Sequence, residues 1–405
     1  MIIKYKSFSR WNIIAVLIAF LPITRYYRFP WLSYSFGTIS LWLLFAICTP
    51  CLTRKIPKRN RKLFYYTAYI ILGYFISIFL YNAGSYGTLL YNVLIQVLIV
   101  ILACGNKSFR GDILLKTIEN ISIVASLLLF IQYAIYYLSG RFLQLIPLHF
   151  FTDSIQNNFS SFTRITTGTA SGYFRPSSFF IEPAHFGQFV LVALAFVLFK
   201  YYKNSEKQFI IKAIVLSLAI LMSTSGIGLF GVVVLWTIFM FVFSRKINNR
   251  KVFGIFLFIL FALVIAVVFL SKQEFVQLVF MRLSVDSSSN MNAVSGRTEG
   301  YDFFFGDAFN NKLFGIGTGN EPMVDVYYTS LAMLLIRNGF LGVILYFIIC
   351  CHRVLQNGRF AKWIAIVILL IVASAGVYDF ANVAFYLTLM FMDVTFLDVE
   401  NDMMI

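Results

Sequence analysis

Charge is scarce in this chain: Lys, Arg, Asp and Glu together supply 12% of its 405 residues, against 60% hydrophobic ones. A chain so composed cannot keep most of its length in water, which excludes an ordinary soluble domain. Acids are the scarcer sign, 17 against 33 Lys and Arg, and histidine occurs only three times. The five cysteines carry no metal signature, since the adjacent Cys350 and Cys351 have neither the spacing nor the His/Cys company of a zinc site. No metal and no cofactor are expected. Cys48, Cys51, Cys104, Cys350 and Cys351 all fall at helix ends expected to be cytosolic, so an outer disulfide framework is not expected either. His149 stands alone in a loop interior, which argues against an acyltransferase nucleophile constellation. There is no internal repeat and no proline-rich or charge-block linker. A cleavable signal sequence is not evident, because the first apolar run lacks a small-residue cleavage site and a second run follows it. That first run is expected to serve as its own signal.

What is present is a rhythm. Apolar runs occupy 11–27, 31–51, 63–81, 87–104, 115–139, 183–201, 209–224, 226–244, 252–270, 326–350, 361–377 and 379–396. Runs of roughly 20 apolar residues match a hydrocarbon core of about 30 Å. Basic clusters fall at every second connection: Lys4/Lys6/Arg10, Arg54 to Lys62, Lys107/Arg110/Lys116, Lys200 to Lys212, Arg245 to Lys251 and Arg353/Arg359/Lys362. They hold 23 of the 33 Lys and Arg, and the positive-inside rule places them in the cytosol. The expected fold is an all-α polytopic membrane protein, one integral membrane domain over 1–405, with about twelve transmembrane helices and both termini cytosolic. The acidic tail, Asp398, Glu400 and Asp402, runs against that trend at the C-terminus. The net charge of +16 lies mostly in short flanking loops, where it sets orientation and meets anionic lipid, so no nucleic acid partner is expected.

Two connections are long, 140–182 and 271–325, and by the alternation both face outward. Long loops in compact proteins are usually functional, so these two are expected to cap an outward-facing active site. In the second, Tyr301, Phe303, Phe304, Phe305 and Phe309 among Asp302, Asp307 and Asn310 suit an interfacial amphipathic helix. The first ends in Arg175-Pro176-Ser177-Ser178-Phe179-Phe180-Ile181-Glu182-Pro183-Ala184-His185-Phe186-Gly187. Pro183 suits a first helical turn, and Glu182 and His185, three apart, can share one face at the outer mouth. A carboxylate and an imidazole there can do acid/base work or hold a sugar hydroxyl, or can simply cap the helix and pack.

The second loop carries Ser295-Gly296-Arg297-Thr298 and then Phe314-Gly315-Ile316-Gly317-Thr318-Gly319. Without a preceding strand this is no dinucleotide fingerprint; a tight re-entry turn is the plainer reading. Ser223-Thr224-Ser225-Gly226 forms a tight outer turn, and Asp325 and Tyr328 are one turn apart at the start of the tenth run. The two long loops use Arg141, Arg164, Arg175, Arg282 and Arg297 against only Lys272 and Lys312. Arginine's fixed fork suits pyrophosphate, with lipid headgroups and loop carboxylates as the competing partners. Arg337 falls inside the tenth run, and an intramembrane arginine normally faces a partner or a wet cavity.

In these pieces the chain resembles the O-antigen polymerase and O-antigen ligase superfamily, most of all the Wzy-type polymerases of surface polysaccharide. The pieces are Arg175…Phe179-x-x-Glu182-Pro183-x-x-Phe186-Gly187, the turn at 223–226, Ser295-Gly296-Arg297-Thr298 followed by Phe314-Gly315-x-Gly317, and Arg337-Asn338-Gly339-x-x-Gly342. The resemblance implies an inverting, metal-independent glycosyl transfer between undecaprenyl-pyrophosphate-linked glycans on the outer face of the bacterial cytoplasmic membrane. It implies that Arg175 and Arg297 bind pyrophosphate and stabilise the leaving group. Glu182 or His185 is then the candidate base, and Arg164, Arg282, Asp325, Tyr328 and Arg337 the candidate substrate-binding residues. Besides donor and acceptor glycans, the expected partners are membrane lipids and a chain-length regulator.

Two departures bear on the choice within the family. Ligases commonly carry a His-Asn pair where this chain reads Asp325-Val326-Tyr327-Tyr328-Thr329, and the Ser/Thr-rich turn is often followed by Arg where Gly226 stands here. Polymerase is favoured over ligase. A transporter or lipid-linked oligosaccharide flippase is the alternative from another class; it would show discontinuous helices, inverted repeats and ionisable groups near the midplane.

Overall fold

The computed structural model describes residues 10–48, 61–81, 86–104, 109–153, 156, 175–247, 251, 254, 295–307, 309–317, 328–356, 359–376, 378–392, 394 and 397. Among them the architecture is helical, with twelve α-helices, one short 3-10 helix at Leu148–Phe150 and a single isolated β-bridge between Tyr27 and Phe151. The ninth apolar run, 252–270, lies outside the described residues apart from Gly254, as do Cys51, Arg164, Arg282, Asp325 and the acidic tail. The described residues group into two compact units interleaved along the chain: Met1–Thr117, Phe150–Thr152 and Gly300–Ile405 in the first, Ile118–His149 and Asp153–Glu299 in the second.

Among the described residues four helices are long and apolar enough to cross a membrane, and the chain is membrane-embedded. They are α5 (Gly111–Ser139), α6 (Pro183–Asn204), α8 (Gly226–Lys246) and Ser330–His352 within α10 (Ser330–Gln356). Others are shorter: α1 (Arg10–Thr24), α2 (Phe36–Cys48) and α12 (Phe380–Phe391) have 15, 13 and 12 residues. At 1.5 Å per residue these reach about 18–23 Å, short of the hydrocarbon thickness of about 30 Å. The remaining helices are α3 (Arg61–Tyr81), α4 (Tyr86–Cys104), α7 (Lys207–Met222), α9 (Ser295–Phe305) and α11 (Arg359–Ser374). The outer surface is as apolar as a lipid-facing one must be. On α7, Ile211, Ile214, Leu218 and Leu221 form an exposed stripe at helical spacing, while Ala213, Leu216 and Ile220 on the other side are buried.

In the second unit α6 is the central helix, packed by α7 and α8. Every residue from Phe186 to Phe199 is buried, as expected of a helix that is apolar all round. Pro183 opens it at a position where no intrahelical donor is needed, and Ser205, in left-handed conformation at φ 56°, closes it by donating its N–H to Tyr201 O at 2.8 Å. Apolar contact between helices gains little over contact with lipid tails, so polar links and close packing decide which helices associate. The strongest link is at the Lys200–Lys212 connection. Glu119 of α5 is fully buried, with Lys212 Nζ at 2.6 Å and Lys200 Nζ at 3.7 Å. Further along, α5 is tied to α7 by Tyr133, whose hydroxyl donates to Met222 O at 2.6 Å. The basic connection and the Ser223–Gly226 turn therefore lie at opposite ends of this unit.

In the first unit α3, α4, α10, α11 and α12 pack around one another, with α1 and α2 against α4 and α12. One end is fastened by polar contacts among connections far apart in sequence. Arg25, just after α1, pairs with Asp379, which also caps α12 by accepting from Asn382 N at 3.1 Å. Arg28 N donates to Phe150 O at 2.7 Å and Thr152 N to Tyr26 O at 3.0 Å, so the segment 150–152 lies alongside the α1–α2 connection. That connection shows Trp31 and Tyr34 to the surroundings, Trp31 stacking on Phe29 at 4.8 Å, an arrangement typical of aromatic residues at a membrane–water boundary.

Candidate functional site

In the second unit the end of the first long loop is built on α5. Gln132 reads the main chain of Ser178 on both sides: its Oε1 accepts from Ser178 N at 2.8 Å, and its Nε2 donates to Ser178 O at 3.3 Å and to Leu143 O at 3.0 Å. Ser178 sits at φ 56°, and Ser177 Oγ closes the turn on Phe180 O at 2.6 Å. Held this way, Arg175 sends Nε to Thr224 Oγ1 at 2.9 Å and a terminal nitrogen to Thr224 O at 3.3 Å. Thr224 is itself left-handed at φ 52°, and Ser225 caps α8 by accepting from Gly228 N at 3.2 Å. Two of the sequence pieces, far apart in the chain, are thus one hydrogen-bonded assembly. Glu182 is the residue before α6, with extended backbone and no side-chain bond to the helix's own N–H groups, so capping does not account for it. Glu182 and His185 are half-buried at that helix start.

In the first unit the other two pieces meet. Helix α10 is broken at Gly339, whose φ 64°, ψ −172° is open only to glycine. The break frees backbone groups, and the Lys312–Gly317 loop takes them up. Ile316 N donates to Ile336 O and Gly317 N to Arg337 O, both at 2.9 Å, while Phe340 N donates to Lys312 O at 2.9 Å and Leu341 N to Leu313 O at 3.1 Å. Tyr69 of α3 adds its hydroxyl to Asn338 O at 2.8 Å. Gly315, at φ 72°, lies so close that a Cβ there would be 2.5 Å from the Arg337 carbonyl. The glycine-alternating segment is thus a plug for a broken helix.

Arg337 lies before the break and lines a cavity of about 110 Å³ enclosed by α3, α4, α10, α11 and α12. Tyr66, Tyr74, Tyr346, Tyr378 and Tyr386 supply much of the wall, with Gln96 and Asn338 as amides. The Arg337 guanidinium carbon stands 5.4 Å from the Tyr378 ring centre, and Tyr74 lies beside both Arg337 and Gln96. Among the described residues that line the cavity, Arg337 is the one charged side chain.

The remaining sequence candidates are placed as follows. Arg297 falls in the first turn of α9, and the expected aromatic helix of the second loop is present: Tyr301 donates to Ala373 O at 3.3 Å and accepts from Thr329 Oγ1 at 3.0 Å, while Phe304 is fully buried. Tyr328 precedes α10, because Thr329 Oγ1 accepts from Ala332 N at 3.2 Å and so starts that helix; its ring packs in a cluster with Phe303, Phe304, Phe309 and Ile336. The sequence reading passed over Glu119, Gln132, Gln96 and the tyrosines of the cavity. A lone acid or amide in an apolar run was the available signal. Among the described residues no His, Cys, Asp and Glu come together as a group able to hold a metal ion. Compared with family models, curated proteins and solved structures, the chain matches none.

Proposed function

We propose that this chain is a surface-polysaccharide polymerase: an inverting, metal-independent glycosyltransferase that joins undecaprenyl-pyrophosphate-linked repeat units on the outer face of the bacterial cytoplasmic membrane. The observation that carries this reading is the pairing of the sequence pieces. Arg175 is bonded to the 223–226 turn, and the 312–317 segment is bonded to Ile336, Arg337, Phe340 and Leu341. Each pairing joins, within one unit, segments that are apart in the chain and that bear the family resemblance.

In this reading the remaining apolar helices also span, giving about twelve spans with loops 140–182 and 271–325 outward. The contacts of Arg25 with Asp379 and of Arg28 with Phe150 support it, because they link connections that the charge alternation puts on one side. Arg175 and Arg297 hold the pyrophosphate. As the anomeric carbon–oxygen bond breaks, negative charge builds on the leaving pyrophosphate, and guanidinium groups already fixed in place stabilise it without reorganising. Arg175 is so fixed, two of its donors being anchored on Thr224. Glu182 or His185 takes the proton from the acceptor hydroxyl as that oxygen attacks from the opposite face.

The test is a gel profile of lipid-linked and surface glycan from cells lacking the gene, complemented with wild type, Arg175→Ala, Arg297→Ala or Glu182→Gln at matched expression. A polymerase leaves single repeat units in the knockout, and the arginine variants fail to restore the ladder. Full-length polymer accumulating on the carrier overturns the reading in favour of a ligase. A second reading has one observation behind it: the broken α10 with an arginine beside a cavity is a feature of transporters. There, however, broken-helix ends are used to meet ligand, whereas here Lys312 and Leu313 cap Phe340 and Leu341. Repeat units trapped on the cytosolic face in the knockout would select the transporter.

A further inference from the structure

We infer that Gln132 and Tyr133, neighbours on α5, are positioning residues for Arg175: Gln132 carries the segment that bears the arginine, and Tyr133 carries the turn on which the arginine is anchored. This builds on the reading of Arg175 as a group that meets the leaving pyrophosphate, and names what holds it in place. The contacts close a ring within the second unit. Arg175 bonds to Thr224 through Nε at 2.9 Å and a terminal nitrogen at 3.3 Å. Two residues before Thr224, Met222 O accepts from the Tyr133 hydroxyl at 2.6 Å. One residue before Tyr133, Gln132 pairs with the N–H and C=O of Ser178 at 2.8 and 3.3 Å. Three residues before Ser178 the ring returns to Arg175.

Such a ring is overdetermined, because no member can shift without breaking a hydrogen bond at one of its crossings. Neighbouring residues on a helix lie 1.5 Å apart along the axis and about 100° apart around it. Gln132 and Tyr133 therefore hold the two segments at one level of α5, and a rigid helix rather than two loops sets the spacing between arginine and turn. Gln132 is chemically fitted to this role. Its amide both donates and accepts, as a peptide group does, and at 1% exposure it has little water to compete for those bonds. The same Nε2 also donates to Leu143 O at 3.0 Å, so both ends of the first long loop are held at one side chain. The Tyr133 ring interacts electrostatically with Arg175 as well as bonding beside its turn. Backbone strain marks the same place. Among the described residues three non-glycine residues are left-handed, and while Ser205 closes α6, Ser178 and Thr224 both lie in the ring. Strain of that kind persists where the surroundings overdetermine it, and it gathers at functional sites. What the ring supplies is a guanidinium placed before substrate arrives, which is the condition for stabilising a leaving group without reorganisation.

The experiment uses the full chain purified in detergent, with Ser225→Cys reporting on the turn by its rate of thiol labelling, read peptide by peptide. Gln132→Met keeps the size of the side chain and removes its bonds, and Tyr133→Phe removes one hydroxyl. Each should speed labelling at least about threefold. In an Arg175→Lys background Gln132→Met should add less than about 1.5-fold, since the glutamine acts through the arginine, whereas general loosening would multiply. Ser126→Ala, whose hydroxyl bonds within the same helix to Ser122 O, should leave the rate unchanged. An unchanged rate in Gln132→Met or in Tyr133→Phe, accelerations that multiply in the double variant, or an equal rise in Ser126→Ala each overturns the ring. Tyr133→Phe loses one atom, so it decides the matter if Gln132→Met does not fold. The glycan ladder is read separately in cells at matched expression, where Gln132→Met and Tyr133→Phe should each slow repeat addition at least about threefold. Labelling as expected with an unaffected ladder removes the polymerase reading of Arg175 and keeps the ring. A lost ladder with unaffected labelling removes the ring and keeps the polymerase.

Discussion

Replacing Gly315 by alanine isolates what the plug in α10 contributes. The left-handed backbone at φ 72° costs an ordinary residue about 1–2 kcal/mol. The added Cβ would also stand 2.5 Å from the carbonyl carbon and oxygen of Arg337 and 2.6 Å from Ile336 O. These are main-chain atoms that cannot rotate aside, so the loop must lift. Lifting breaks the bonds from Ile316 N and Gly317 N, at roughly 1–2 kcal/mol each once the freed carbonyls are left in apolar surroundings. The sum is about 3–6 kcal/mol, felt locally. Gly140 is the matched control, because it has nearly the same backbone, φ 66°, and nothing within 4 Å of its notional Cβ. Gly140→Ala should lose only the backbone part, about 1–2 kcal/mol. Hydrogen exchange by mass spectrometry reads the difference. Amides at 316–317 and 340–341 should exchange at least about 100-fold faster in Gly315→Ala than in wild type, since each 1.4 kcal/mol is tenfold. Protection there within about threefold of wild type, or equal losses in the two variants, would refute the plug.

Glu119→Gln should destabilise the second unit by about 3–5 kcal/mol in thermal or chemical unfolding, because Lys200 and Lys212 lose a buried counter-charge. Replacing all three together, Glu119→Leu with Lys200→Met and Lys212→Met, should recover most of that loss; a triple variant as unstable as the single one counts against the ion cluster as its cause. Tyr69→Phe should cost about 1 kcal/mol and speed exchange at Phe340 and Leu341, while the exposed Tyr65→Phe is silent; similar melting shifts for the two would show that the bond to Asn338 O carries nothing. Arg175→Lys should keep the charge yet lose the paired grip on Thr224, so a cysteine placed at Ser225 should label faster in that background, and an unchanged labelling rate would separate Arg175 from the turn.

The apolar runs told most of the fold, because a helix that must satisfy its own backbone in lipid advertises itself over twenty residues. Eleven of the twelve runs coincide with described helices, and the aromatic stretch from Tyr301 to Phe305 is the expected helix of the second loop. What stayed hidden was pairing at long range. Lys212 and Glu119 are 93 residues apart, Tyr69 and Asn338 269 apart, and neither local spacing nor composition couples them. The glycines at 315 and 317 were legible as a turn, but their use as a plug depends on Gly339, which the sequence shows as part of Arg337-Asn338-Gly339-x-x-Gly342 without showing that the helix breaks there. Glu119 was passed over for a related reason: one acid in a long apolar run has meaning only once its partners are known. Of the candidate site, the arginine at 175 was legible and its anchor at Thr224 was not, since a side chain reaching across 49 residues leaves no periodicity.

The Glu119 cluster also sets an order for making the protein. α5 emerges from the ribosome with a carboxylate inside its apolar stretch, and the two lysines that pair with it across the fold, Lys200 and Lys212, are synthesised 81 and 93 residues later. At about 5–20 residues per second this is a wait of roughly 4–20 seconds, during which α5 released alone into lipid would lack those two partners. The helix is therefore best retained beside the insertion machinery until α6 and α7 arrive, so that the three enter the bilayer as one parcel. A charge cluster that is static in the finished molecule becomes, during synthesis, a timer.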